Sequence, residues 1–322
     1  MLRPRTYDRR RQMLSVVVPS YNEEDNIANT AGVLSKTLSD ASIDYELIFV
    51  DDGSVDKTYE KILEQSAKDP HIKGVSFSRN FGKEASIFAG LEASTGDCVA
   101  VLDCDLQHPA DVLPKMYKLW EEGFEVVEGI KSSRGKEGIL HKLCANIFYS
   151  IMSKLIKMDM KSTSDYKLLD RKVVNVLLTL PEKKTFFRAL SFWVGFKTAK
   201  VEYDVMERQF GKTKWSFMSL MRYAINNATS FSTLPLQMIT FLGVVSILFS
   251  IGLAIQTLIK YFNGTAAEGF PTVILLILLV GGFIMISLGI IGNYLARIYE
   301  EVKGRPRYII RTHTENILGN YK

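Results

Sequence analysis

Short apolar, β-branched runs along the first half of the chain alternate with segments whose apolar residues recur every three to four positions. The runs predict strands at Leu14–Pro19, Tyr45–Asp51, Ile72–Ser78 and Cys98–Asp103. The segments between predict helices near Glu24–Ser39, Asp56–Lys68, Lys83–Ser94 and Asp111–Glu121. Alternating βαβα units imply an α/β fold with a mainly parallel sheet covered on both faces. Ligands of such sheets gather beyond the carboxyl ends of the strands. The polar clusters stand there: Pro19-Ser20-Tyr21-Asn22-Glu23 after the first strand, Asp51-Asp52-Gly53-Ser54 after the second, Asp103-Cys104-Asp105 after the fourth.

The pattern changes toward the C-terminus. Residues 238–259 and 273–296 hold none of the chain's 40 Lys+Arg or 35 Asp+Glu residues. At ~1.5 Å per residue they reach roughly 33 and 36 Å as helices, enough to cross a ~30 Å hydrocarbon core. A connector as short as Lys260–Pro271 predicts a two-helix transmembrane hairpin with both ends on one side. Lys212, Lys214 and Arg222 precede the pair, and Arg297, Lys303, Arg305, Arg307 and Arg311 follow it. The positive-inside rule therefore predicts cytoplasmic flanks, and so a cytoplasmic body and termini. The arginine-rich start, MLRPRTYDRRRQM, lacks a following apolar stretch and is read as a basic tail rather than a signal peptide. Trp215–Ser232 and Ile139–Met158 are basic and amphipathic; each fits either the membrane interface or the surface of the soluble body.

Composition now reads differently. A hydrophobic fraction of 47% looks globular only because it averages a soluble body with two charge-free runs. The net charge of +5 is too small to propose nucleic acid as a partner. Three cysteines without a CxxC pair suit reduced, structural thiols. The chain has neither GxGxxG nor GxxxxGK[ST], which disfavours dinucleotide oxidoreductases and P-loop phosphotransferases.

Asp103-x-Asp105 carries the most chemistry. Two carboxylates at a strand end can hold a hard cation, Mg2+ or Mn2+, leaving positions open for substrate phosphate. Such an ion offsets the charge that develops on a departing diphosphate. Asp52, beside Gly53, is either an acceptor for ribose or base or part of a simple turn. Arg208, Lys212 and Lys214 lie in a glycine-containing basic loop that suits either phosphate groups or lipid headgroups.

Taken together, the segments VVVPSYNEEDNI, LIFVDDGSVDKT, SRNFGKEASIFAGL, AVLDCDLQHP, DYKLLDRKVV, FFRALSFWVGF and RQFGKTKW, followed by the apolar pair, resemble the family 2 glycosyltransferases. Within them the chain looks most like the polyprenyl-phosphate type, which includes bactoprenol-phosphate glucosyltransferases and dolichol-phosphate mannose synthases. The resemblance covers almost the whole chain. It implies a Rossmann-like GT-A catalytic domain over 13–212, after a basic tail at 1–12. An interfacial helix at 213–233, a transmembrane hairpin at 234–298 and a basic cytoplasmic tail at 299–322 then follow.

The resemblance also implies roles. Nucleotide contacts fall on Pro19, Tyr21, Glu23 and Asp52, with Lys83 as a further donor-site residue. Asp103 and Asp105 hold the metal beside Gln107. Arg208 and Lys214 match the basic pair that meets donor diphosphate and acceptor phosphate. Lys131 and Lys167 stand where relatives often carry arginine, and Arg134, three residues after Lys131, is the candidate to restore a guanidinium. Asp165 matches an acidic position sometimes read as a base. An acceptor phosphate with a second pKa of ~6 is already ionised at neutral pH, so Asp165 is better suited to orienting a basic neighbour or the acceptor.

The expected activity is inverting transfer of a hexose from a nucleotide-diphosphate sugar to a polyprenyl phosphate at the bilayer, serving cell-envelope glycan modification. UDP-glucose and undecaprenyl phosphate are favoured. UDP-N-acetylglucosamine, UDP-galactose and GDP-mannose remain alternatives, as does dolichyl phosphate. A processive polysaccharide synthase would bring a QxxRW motif and more apolar helices. A non-catalytic scaffold or flippase partner is the rival from another class. The oligomeric state is open, a homo-oligomer included.

Overall fold

The computed structural model describes residues 12–131, 164–182, 185–204, 234–263 and 269–317. The expected interfacial helices at 139–158 and 213–233 lie outside them, as do Arg134, Arg208, Lys212, Lys214 and Cys144.

The chain forms two compact units. The first is built on an eight-stranded sheet of order β7-β5-β6-β4-β1-β2-β3-β8. Its strands are β1 (Met13–Ser20), β2 (Asp44–Asp51), β3 (Ile72–Phe77), β4 (Cys98–Val101), β5 (Val126–Lys131), β6 (Lys167–Asp170), β7 (Thr198–Tyr203) and β8 (Ile310–His313). Helices α1 (Ile27–Asp40), α2 (Thr58–Lys68), α3 (Lys83–Ala93) and α4 (Leu113–Glu121) make the crossovers, and α5 (Arg171–Thr179) and α6 (Phe187–Trp193) follow β6. All four expected strands and four expected helices are present, their ends moved by at most three residues.

β4, β1, β2 and β3 run parallel at the centre. Leu14, Val16, Val17 and Val18 of β1 are fully buried, as are Leu47, Ile48, Phe49 and Val50 of β2. Helices cover both faces of these strands, so apolar runs replace the alternation of a one-sided sheet. Cys98 and Cys104 are free and buried, which fits reduced structural thiols.

β6 runs antiparallel to both β4 and β5. Its register sets Lys167 opposite Val101, so the start of β6 meets the end of β4. Asp165, two residues earlier, is thereby brought to the edge where Asp103 follows β4. β5 and β7 are parallel and end together, Lys131 opposite Tyr203.

Residues 310–313 belong to a segment expected to be a tail, yet they form β8 on the outer edge of β3. Thr314 continues the contact: its N–H donates to the Gly74 carbonyl at 2.9 Å, and its Oγ1 accepts from Gly74 N at 3.0 Å. Ile317 is buried with Ile48, Val50, Val75 and Phe77, and Tyr308 stacks on Phe77 at 5.0 Å. Pairing and burial together hold this segment in the sheet.

The second unit contains α7 (Leu234–Phe262) and α8 (Phe270–Val302). Phe241, Ile247, Leu248 and Phe249 of α7 and Ile277, Met285, Ile286 and Leu288 of α8 are exposed, unlike the side chains of a buried core helix. Among the described residues one segment, Leu279–Val302, is long and apolar enough to cross a membrane, and Ile239–Leu253 is a shorter apolar stretch.

Candidate active site

The loops beyond β1, β2 and β4 form the candidate site. β2 ends in Asp51, whose carboxylate accepts from Ser54 N at 3.0 Å and Ser76 Oγ at 2.7 Å. Asp52 is buried, and its two oxygens accept from Phe81 N at 2.7 Å and Gly82 N at 2.9 Å. Burial raises its carboxyl above the ordinary range even though both N–H donors act the other way. Gly53 makes this approach possible. It sits at φ +64°, and a Cβ there would lie 2.4 Å from the carbonyl carbon of Arg79. Asp52 thus fastens the loop that opens α3 and carries Lys83.

Lys83 joins two carboxylates distant in sequence. Its Nζ lies 2.6 Å from Asp103 Oδ1 and 2.9 Å from Asp165 Oδ2. Asp165 also receives Arg188, with Nε 3.0 Å from Oδ1 and Nη2 3.0 Å from Oδ2. Burial opposes ionisation of Asp165, but Lys83 and Arg188 outweigh it and hold the carboxyl far below its usual range. The same balance lowers Asp103, where burial is outweighed by Lys83 and His108. Burial would lower the Lys83 ammonium, yet its two carboxylates raise it. Glu84 is the exception. Burial and the nearby Asp165 push its carboxyl up to about 7, while Oε2 accepts from Phe187 N at 2.7 Å.

Asp105 follows Asp103 by two residues, its Oδ1 accepting from Gln107 N at 3.2 Å. Leu106 between them is held at φ +52°, an uncommon conformation for leucine and one that concentrates at functional loops. Cys104 points inward; burial pushes its thiol up to about 12, and its carbonyl accepts from Thr30 Oγ1 at 2.6 Å. His108 stacks on Tyr166 at 5.1 Å, and Tyr166 Oη donates to Pro109 O at 3.0 Å. The aspartate pair therefore stands on a loop braced by Thr30 of α1 and by Tyr166, the residue before β6. Partly exposed, all-oxygen donors fit Mg2+ or Mn2+, which keep open positions for water and phosphate. Among the described residues no group of three or more His, Cys, Asp and Glu side chains has metal-site geometry, so substrate and water would complete the shell.

The remaining expected residues are spread along the same edge. Tyr21 is exposed, Pro19 lies within β1, and Glu23 Oε2 accepts from Asn26 Nδ2 at 2.5 Å. Lys131 closes β5. Lys167 does not reach the site surface: it is buried and pairs with Glu128 at 3.0 Å. Arg188 and Glu84 are the residues that sequence reasoning passed over. Arg188 is the one charge in FFRALSFW, and that isolation among apolar neighbours was the available signal.

This edge sets a pair of carboxylates of the kind that suits a dication beside two cations, Lys83 and Arg188. The model of glycosyl transferase family 2 matches residues 15–171, which include Asp52, Lys83, Asp103, Asp105 and Asp165. The prophage bactoprenol glucosyl transferase homolog of Escherichia coli (strain K12) is 37% identical over 305 residues, spanning 92% of this chain and 98% of that protein. The chain belongs to glycosyl transferase family 2. Another relative, the bactoprenol glucosyl transferase of Shigella phage SfX, is 36% identical over 93% of this chain and 99% of its own. Among solved structures, the fold of this chain is matched by glucosyl-3-phosphoglycerate synthase from Mycobacterium tuberculosis, in complex with Mn2+, UDP and glucosyl-3-phosphoglycerate. Its TM-score is 0.52 at 22% identity, covering 68% of this chain and 79% of that one, a likeness of fold.

Proposed function

We propose that this chain is a metal-dependent, inverting glycosyltransferase that moves glucose from UDP-glucose to undecaprenyl phosphate at the cytoplasmic face of a membrane. The carrying observation is the Asp103/Asp105 loop set beside the Lys83–Asp165–Arg188 cluster at the carboxyl edge of the sheet. The names of its full-length relatives supply the sugar and the lipid class.

In this reading Tyr21, Glu23 and the loop held by Asp52 line the nucleotide pocket, and Gln107 borders the donor. Asp103 and Asp105 would hold a divalent ion, which would supply positive charge for the departing diphosphate. Arg208, Lys214, Lys131 and Arg134 receive the acceptor phosphate and the diphosphate. The acceptor needs little deprotonation, because a phosphate monoester with a second pKa of ~6 is mostly ionised at neutral pH. Asp165 suits that requirement. Paired with two cations it is a weak base and a good anchor, fixing Lys83 and Arg188 against the reacting groups. Direct attack of the phosphate oxygen on the anomeric carbon, with no protein nucleophile, inverts the centre.

The membrane part of the reading is supported by chain order. The first unit breaks off beyond β7 and resumes at Pro306, with β8 paired to β3. A single crossing by α8 would leave β8 and β3 on opposite sides of the bilayer. Two crossings, by α7 and α8, keep the sheet on one side, and the two helices approach each other. The basic flanks make that side cytoplasmic.

The test is transfer itself. Purified full-length protein, Mn2+, radiolabelled UDP-glucose and undecaprenyl phosphate should yield a labelled, organic-extractable lipid. Absence of labelled lipid with UDP-glucose, UDP-N-acetylglucosamine, UDP-galactose and GDP-mannose alike would remove the transferase reading.

A further inference from the structure

Lys83 is attached to a fixed backbone but shares its charge between two sites. On one side Asp52 holds Phe81 N and Gly82 N; on the other Glu84 holds Phe187 N. The Lys83 side chain itself is 41% exposed, with an ammonium between Asp103 at 2.6 Å and Asp165 at 2.9 Å. The two carboxylates are not equivalent. Asp165 is only 12% exposed and has a second cation of its own, Arg188, on both of its oxygens. Asp103 is 31% exposed and has Lys83 at salt-bridge distance on the side chain that would bind a metal.

We propose that Lys83 is a displaceable counter-cation for the metal site. It neutralises Asp103 while no divalent ion is bound, and it withdraws to Asp165 when one binds. The inference rests on the reading of Asp103 and Asp105 as metal ligands and adds a control to it. An ammonium 2.6 Å from a ligand oxygen competes with a dication for the same carboxylate, and the repulsion between the two cations over a few ångströms favours its withdrawal. Withdrawal costs Lys83 one of its two ion pairs, and Asp165 is already in place to keep the other. Divalent affinity of the free protein is therefore set by competition with an internal lysine. A diphosphate arriving with the metal offers the withdrawn ammonium a new anion, so metal and donor bind better together than apart.

The experiment titrates Mn2+ into detergent-solubilised full-length protein without nucleotide, following free Mn2+ by electron paramagnetic resonance. Lys83→Met should tighten Mn2+ by about tenfold, a screened value for a partly exposed pair. Asp165→Asn, which removes the place of withdrawal, should weaken Mn2+ severalfold in the wild-type background. In the Lys83→Met background it should shift the affinity by less than about twofold. Lys83→Gln repeats the test with a different side chain, and melting curves confirm that each variant is folded. Affinity unchanged or weaker in both Lys83 variants would overturn the proposal, as would equal Asp165→Asn effects in the two backgrounds. Asp105→Ala separates the two levels. If it leaves Mn2+ affinity unchanged, the metal-ligand reading fails and the proposal with it. If it abolishes binding while the Lys83 variants gain nothing, only the counter-cation is rejected.

Discussion

At the amino ends of the central strands Glu46 accepts from Ser15 Oγ, Thr95 N and Lys73 Nζ, each at 2.6 Å. The side chains of Glu46 and Lys73 are 4% and 11% exposed. At the carboxyl ends Lys83 serves Asp103 and Asp165 with much of its side chain in solvent. Both are lysine–carboxylate pairs on the same sheet. At the amino end the Glu46 carboxylate is committed to a fixed set of donors from Ser15, Lys73 and Thr95. At the carboxyl end one cation is divided between two anions, which leaves the cluster able to rearrange. The same interaction thus holds the fold at one edge and stays open to chemistry at the other.

Mutation at each end should separate these roles. The largest effect is expected from Asp105→Ala, which should lower lipid-linked transfer by about a thousandfold while the melting temperature stays within about 2 °C. Loss of stability instead of transfer would erase the distinction between the edges. Next is Glu46→Ala, which leaves Lys73 buried without its carboxylate and should cost about 3 kcal/mol in denaturant unfolding, with Mn2+ affinity unchanged. Burial disfavours the charged form of Glu46, but Lys73, Ser15 and Thr95 outweigh it and lower its carboxyl. Its contribution is therefore present above the ordinary carboxyl value of 4.5 and lost as pH falls below it. The alanine variant should lack that acid-side loss.

The smallest effect sharpens the contrast within the open edge. Glu84 has its carboxyl raised from 4.5 to about 7, so the folded protein binds the proton more tightly than the unfolded chain. Stability should fall as pH rises between those values. Glu84→Gln should flatten the dependence of melting temperature on pH in that window. An unchanged slope would show that Glu84 is ionised in the folded state.

The parallel half of the sheet was legible because strands buried on both faces spell continuous apolar runs, VVVPS and ELIFV among them. The acidic pair was legible for a related reason, since it directly ends such a run. β6 was harder: KLLD is four residues long and finds β4 in reverse direction through a connection the pattern does not reveal. Asp165 could be singled out by resemblance, but its partnership with Lys83, 82 positions away, depends on that antiparallel register. Arg188 stayed hidden because a lone guanidinium in an aromatic stretch gives no sign of which carboxylate it will meet. β8 was hidden more deeply still. Its alternating IRTH is an edge-strand pattern, but its basic neighbourhood matched a solvated tail and its partner β3 lies more than two hundred residues earlier.

That last strand also sets a timetable. The ribosome makes β3 before β8, with every residue of α7 and α8 synthesised between them. The outer edge of β3 must wait unpaired by β8 until the apolar helices have emerged, because that pairing closes a span of more than two hundred residues. Completion of the eight-stranded sheet is thereby deferred until after both apolar helices have been made.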